Sequence, residues 1–115
     1  MTYGTGSPPG VPEVNVEELE AAVAAGAPVV DVREHDEYAS GHVAGALLMP
    51  MAEVVARVHE LRKPGTFYIV CATGARSGRA AQWYRAQGID ARNLGGGMKA
   101  WIADGKPVVY GPQSS

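Results

Sequence analysis

The sequence has little with which to hold a metal, cross a membrane or attract a nucleic acid. It carries one cysteine, so no disulfide can close within it and no second thiol of this chain can resolve what forms on the first. That usage suits a reducing compartment, and a cytoplasmic location is expected. Its three histidines are scattered, with no ligand spacing among themselves or toward the cysteine. No metal is expected, and no other cofactor. Basic residues number 10 and acidic residues 12, a net charge of −2, which gives no basic field to recruit nucleic acid. No apolar run approaches the roughly 20 residues of a membrane span, so no membrane partner is expected. Met1 to Glu13 has neither the basic start nor the apolar core of a signal peptide.

What remains is an ordinary globular composition, 46% apolar and 19% charged over 115 residues, enough for one domain. Residues 1–12, rich in glycine and proline, read as a flexible arm, 13–110 as the domain and 111–115 as a tail. A short strand is expected near Val11 to Val14. Asn15 has the character of a helix N-cap, with Glu18 at the capping-box position. Val29, Val30 and Val32 read as a strand covered on both faces, with Asp31 inside it. A charged stretch from Arg33 to Tyr38 should form a short helical turn, and His42 to Met49 a connection with a third strand. Met51, Val54, Val55, Val58 and Leu61 recur at helical spacing and predict an amphipathic helix. Another helix is expected from about Ser77 to Gln87, a last strand over Ala91 to Leu94, and a helical face of Met98, Trp101 and Ile102. Strands alternating with helices at short intervals predict an α/β domain with a mostly parallel sheet and helices on its faces.

The chain is organised around Thr66 to Gly78. Phe67 to Val70 reads as a buried strand that ends in the only cysteine, Cys71. Ala72, Thr73, Gly74 and Ala75 follow, short enough for their backbone N–H groups to turn in around the sulfur. Arg76 adds a fixed positive charge, and the helix from Ser77 adds unpaired N–H groups at the positive end of its dipole. All three favour thiolate over thiol and make Cys71 a candidate nucleophile. This reading needs N–H groups aimed at position 71 and a side chain that is not sealed in the interior.

Three stretches give the chain a resemblance to the single-domain rhodaneses, the sulfurtransferase family. The first is Asp31-Val32-Arg33-Glu34, then Glu37-Tyr38, Gly41 to Ala46 and Met49-Pro50. The second is Val70 to Ser77. The third is Asn93 to Trp101, followed by Gly105-Lys106-Pro107-Val108. The resemblance implies a sheet of about five strands, mostly parallel, with helices on both faces, and a persulfide carried on Cys71. It implies transfer of a sulfane sulfur from thiosulfate or a persulfide donor to a thiol or cyanide acceptor. The partners expected are therefore a small sulfur-containing anion or a protein persulfide, and a thiol or cyanide. The donor would be held by the loop N–H groups of Ala72, Thr73, Gly74, Ala75 and Ser77, with Arg76 either holding an anionic donor or orienting the loop from behind, and Arg33 as a possible rim residue.

Two other functions compete. The related phosphatases and arsenate reductases of this fold carry a longer loop, Cys-x5-Arg, against the Cys-x4-Arg spacing from Cys71 to Arg76. The tighter ring favours a sulfur over a tetrahedral phosphate. A sulfur-relay or binding module serving a partner enzyme, with little thiosulfate turnover, is the closer alternative, because the loop holds a single charged residue. Asp31 and Arg33 read as a structural pair, and His42 and Glu37 as residues shaping the connection between the second and third strands.

Overall fold

A computed structural model describes residues 7–114; the first half of the expected arm lies outside them. Five parallel strands form one sheet in the order β1-β5-β4-β2-β3. They are β1 (Glu13–Val14), β2 (Val29–Asp31), β3 (Leu47–Leu48), β4 (Thr66–Val70) and β5 (Asp90–Leu94). The helices are α1 (Val16–Ala24), α2 (His35–Ala39), α3 (Ala75–Ala86) and α4 (Gly97–Ala103). The α/β reading and the parallel sheet hold.

The central strand, β4, sorts its side chains by the two-residue period of a strand. Phe67, Ile69 and Cys71 face one core, with Val30, Val32, Ala80, Ala81 and Tyr84. Val70 faces the other, with Leu19, Val29, Tyr38, Leu94, Met98 and Trp101. Thus α3 covers one face of the sheet and α1, α2 and α4 the other. β2 lies between β3 and β4, so the chain winds to one side after β2 and to the other after β4. The loops that follow these two strands meet at the switch point of the sheet, the usual ligand position in such folds.

Local signals in the sequence account for several boundaries. The Asn15 side chain accepts from Glu18 N at 2.8 Å while Glu18 accepts from Asn15 N at 2.8 Å, a complete capping box on α1. Glu34 and Glu37 make a second box on α2.

One expected helix is absent. Met51 to Leu61 forms two short 3-10 helices, Met51–Glu53 and Val58–Leu61, with turns between them. The bonds from Glu53 N to Pro50 O, Val54 N to Met51 O, Val58 N to Val55 O and Glu60 N to Arg57 O all span three residues. Three residues per turn keep Val54 and Leu61 on the core side at 4% and 1% exposure, but swing Val55 out to 64%. Arg57 holds this shape by bonding Leu48 O, Glu53 and Glu60. Ile102 also leaves its expected face and is half exposed, whereas Met98 and Trp101 are buried.

Arg33 does not reach a pocket rim. It is 5% exposed and pairs with the fully buried Asp31, Nε to Oδ1 at 2.9 Å and Nη2 to Oδ2 at 2.8 Å. Its Nη2 also donates to Gly41 O at 2.9 Å, tying β2 to the connection before β3. His42 is buried and stacked on Tyr38, its ring nitrogens 2.7 Å from Tyr38 O and 2.8 Å from Gln113 O. Its role is structural, as expected. Removing one charge of a buried pair strands the other. Asp31→Asn is therefore expected to destabilise the fold by about 3 kcal/mol; urea unfolding checks this, and a midpoint equal to wild type would contradict it.

Candidate functional site

β4 delivers Cys71 to the C-terminal edge of the sheet, with a strand on each side. α3 begins at Ala75, two residues earlier than its sequence pattern suggested, because Gly74 takes a left-handed φ of 100° as its N-cap. The turn from strand to helix is therefore only Cys71 to Gly74. Ser77 falls in the first turn of the helix, where its hydroxyl points back at the sulfur.

Two hydrogen bonds converge on Cys71 Sγ: Gly74 N donates at 3.1 Å, and Ser77 Oγ lies at 3.2 Å. Burial pushes the thiol pKa up. The Ser77 hydroxyl and the backbone N–H groups of Ser77, Gly74 and Thr73 outweigh it, and the thiol lies below its ordinary value. The side chain is 1% exposed, so the expected open access is absent, and of the expected loop N–H groups those of Thr73, Gly74 and Ser77 act on the sulfur. The cover is thin, since Thr73 is exposed and Ala72 and Ala75 are half-buried.

The loop is held from behind by α4. Met98 N donates to Cys71 O at 2.8 Å, and Lys99 N to Ala72 O at 2.9 Å. This contact explains the Gly95-Gly96-Gly97 run, which otherwise reads as a plain turn. Gly97 has φ 59°, and a Cβ there would sit 2.5 Å from Cys71 O. Gly97→Ala is therefore expected to cost about 2 kcal/mol and to loosen the loop. Thermal unfolding together with the alkylation rate of Cys71 tests this; an unchanged melting point and rate would contradict it.

Sequence reasoning missed Asn93. It is fully buried, and its Nδ2 donates to Gly74 O at 3.0 Å and to Ser7 Oγ at 2.7 Å. A carbonyl can only accept, so the amide orientation is fixed and Oδ1 faces Ser77 Oγ at 2.6 Å. Ser77 has one hydroxyl proton for two acceptors, the sulfur and Asn93. Its backbone N–H was expected at the site, but its side chain was not, and only its place in the first turn of α3 could have signalled it. Ser77→Ala is expected to raise the Cys71 pKa. The rate of alkylation against pH, which should rise below the ordinary thiol value of about 8.5 in the wild type, should shift upward; an unmoved profile would contradict this.

Arg76 is paired with Glu37. Its Nη1 and Nη2 bind Glu37 Oε1 and Oε2 at 2.9 and 2.8 Å. The hydrogen bonds from Arg76 hold the Glu37 carboxyl at about 2. Glu37, expected only to shape a connection, thus joins α2 to the first turn of α3.

A cleft of about 230 Å³ lined by Val23, Val43, Trp101 and Val108 shares no residue with this loop. Among the described residues, no group of three or more His, Cys, Asp or Glu side chains could hold a metal ion. No helix among them is long and apolar enough to cross a membrane.

The family model for the Rhodanese-like domain matches residues 15–104. The chain belongs to the rhodanese family. Its fold resembles that of a rhodanese-related protein from Thermoplasma volcanium, with a TM-score of 0.81 and 30% identity over 85% of this chain and 97% of that one. A sulfurtransferase of Allochromatium vinosum is 38% identical over 82 residues, 70% of this chain and 77% of that protein. The uncharacterized protein YqhL of Bacillus subtilis is 41% identical over 76 residues, 65% of this chain. The match spans 60% of YqhL's own length. Within this rhodanese, the Cys71 loop occupies the position at which the central strand of the sheet gives way to α3.

Proposed function

We propose that this rhodanese is a sulfurtransferase that carries a sulfane sulfur on Cys71. The thiolate attacks the outer sulfur of a donor. With thiosulfate, the sulfur–sulfur bond breaks and sulfite leaves with its electron pair; with a persulfide donor, a thiolate leaves. Cys71 then holds a persulfide. A thiol or cyanide acceptor attacks its terminal sulfur and restores the Cys71 thiolate, completing a two-step covalent cycle.

The observation that carries this reading is the pair of donors on Cys71 Sγ, Gly74 N–H and the Ser77 hydroxyl, at the edge of the sheet. The Gly74 N–H is fixed and stabilises a sulfur anion without reorganising, while the Ser77 hydroxyl turns its proton from Asn93 to the sulfur as charge moves onto it. The N–H groups of Ala72 and Ala75 complete the ring when the terminal sulfur arrives. Because Cys71 is 1% exposed, a donor reaches it only when the residues over the sulfur move. The pairing of Arg76 argues against phosphate chemistry, since its guanidinium is already engaged by Glu37. The single thiol suits the reducing cytoplasm, where we place the reaction.

The relay reading is favoured by the same ion pair. A loop whose only charged side chain is already paired holds a free anion weakly, so Cys71 would take sulfur from another protein and turn thiosulfate over slowly.

Intact mass after incubation with thiosulfate or a persulfide donor should rise by one sulfur atom. Cys71→Ser should fold as the wild type does and gain nothing, because a serine hydroxyl ionises too poorly to replace the thiolate. Sulfur gained by Cys71→Ser, or none gained by the wild type with either donor, would overturn the proposal.

A further inference from the structure

The sulfurtransferase reading leaves the donor open, and the charges around the loop narrow it. Two arginines stand near Cys71, and each is matched by a carboxylate. Arg33 pairs with Asp31 at 2.8 Å and Arg76 with Glu37 at 2.8 Å. Both Arg76–Glu37 contacts are bidentate partners in one fork, the geometry in which guanidinium and carboxylate commit to each other most fully. Glu37 cannot drift from this position, because the same Oε1 accepts from Glu34 N at 2.9 Å as the capping box of α2. Arg79, further along α3, is exposed, where salt screens it. The loop's own arginine is therefore neutralised, and the cation left beside the loop is Lys99, exposed on α4 where its backbone meets Ala72.

Thiosulfate is a dianion, and its attack by Cys71 gathers three negative charges at one point. A persulfide of a small or protein thiol brings at most one. We infer that Glu37 is a specificity-determining residue: by occupying Arg76 it withholds the loop's only cation and biases Cys71 toward persulfide donors over thiosulfate. This rests on the sulfurtransferase proposal and names its donor class. The favoured step is balanced. The Cys71 thiolate bonds to the terminal sulfur of R–S–SH, the S–S bond breaks, and R–S⁻ departs with the electron pair. The proton stays on the transferred sulfur. The structure thus assigns Glu37 an effect on which anion enters, exerted through Arg76 and without contact with Cys71.

Glu37→Gln tests this cleanly, since glutamine still fills the capping box but does not neutralise Arg76. Loading of Cys71 is followed by intact mass with thiosulfate and with the persulfide of a small uncharged thiol. The ratio of kcat/KM for thiosulfate to that for the persulfide is expected to rise about tenfold in Glu37→Gln, chiefly through a lower KM for thiosulfate. The rise should shrink at high salt and vanish in Glu37→Gln/Arg76→Gln. An unchanged ratio, or a rise that survives the loss of Arg76, would overturn the role of Glu37. Failure of the wild type to take sulfur from either donor would instead overturn the sulfurtransferase reading itself, and this inference with it.

Discussion

The site depends on where a few backbone carbonyls point. In a trans peptide the C=O and the following N–H are antiparallel, so fixing one fixes the other. Lys99 N pins Ala72 O toward α4, which leaves Thr73 N–H directed back at the sulfur, where it helps to lower the thiol pKa. Asn93 Nδ2 pins Gly74 O in the same way. One donor to Cys71, Thr73 N–H, is therefore aimed by α4, which does not touch the sulfur, while β5 holds the next turn of the loop through Gly74 O. Gly97 allows the approach because it has no side chain to keep α4 away.

This division explains what the sequence made legible. Signals confined to one segment were readable: the Asn15 capping box, the apolar run of β4 and the small residues after Cys71. The resemblance to rhodaneses, carried by three separated stretches, supplied the number of strands. Local period misled at Met51 to Leu61, where the spacing fits an α-helix but the backbone takes the tighter 3-10 pitch and turns Val55 outward. Partnerships across the fold were the least visible. Asn93 reaches Ser77 and Gly74 from another strand, and Glu37 meets Arg76 across 39 positions of sequence. A single sequence carries no record of such distances, so Arg76 appeared as a free cation when it is half of a pair.

The pairing changes how the thiolate is made. An arginine beside a cysteine is a simple way to lower its pKa, but it also attracts every anion in solution. Here the charge is cancelled by Glu37, and Arg33 is cancelled by Asp31. Stabilisation of the sulfur is left to short-range dipoles, which fall off steeply with distance and are orientation-dependent. Such a site can hold an anion once it is seated on Cys71 without drawing anions in from afar.

Burial completes this logic. A sealed thiol in an apolar core is pushed toward the neutral form. Cys71 lies at the rim of such a core, among Val32, Ile69 and Ala81, yet its pKa falls because the donors outweigh the desolvation. The same cover that costs the thiolate its water also removes water as a competitor for those donors, so each hydrogen bond counts for more than it would on an open surface. The donors to the sulfur come from a single short segment, Thr73 to Ser77.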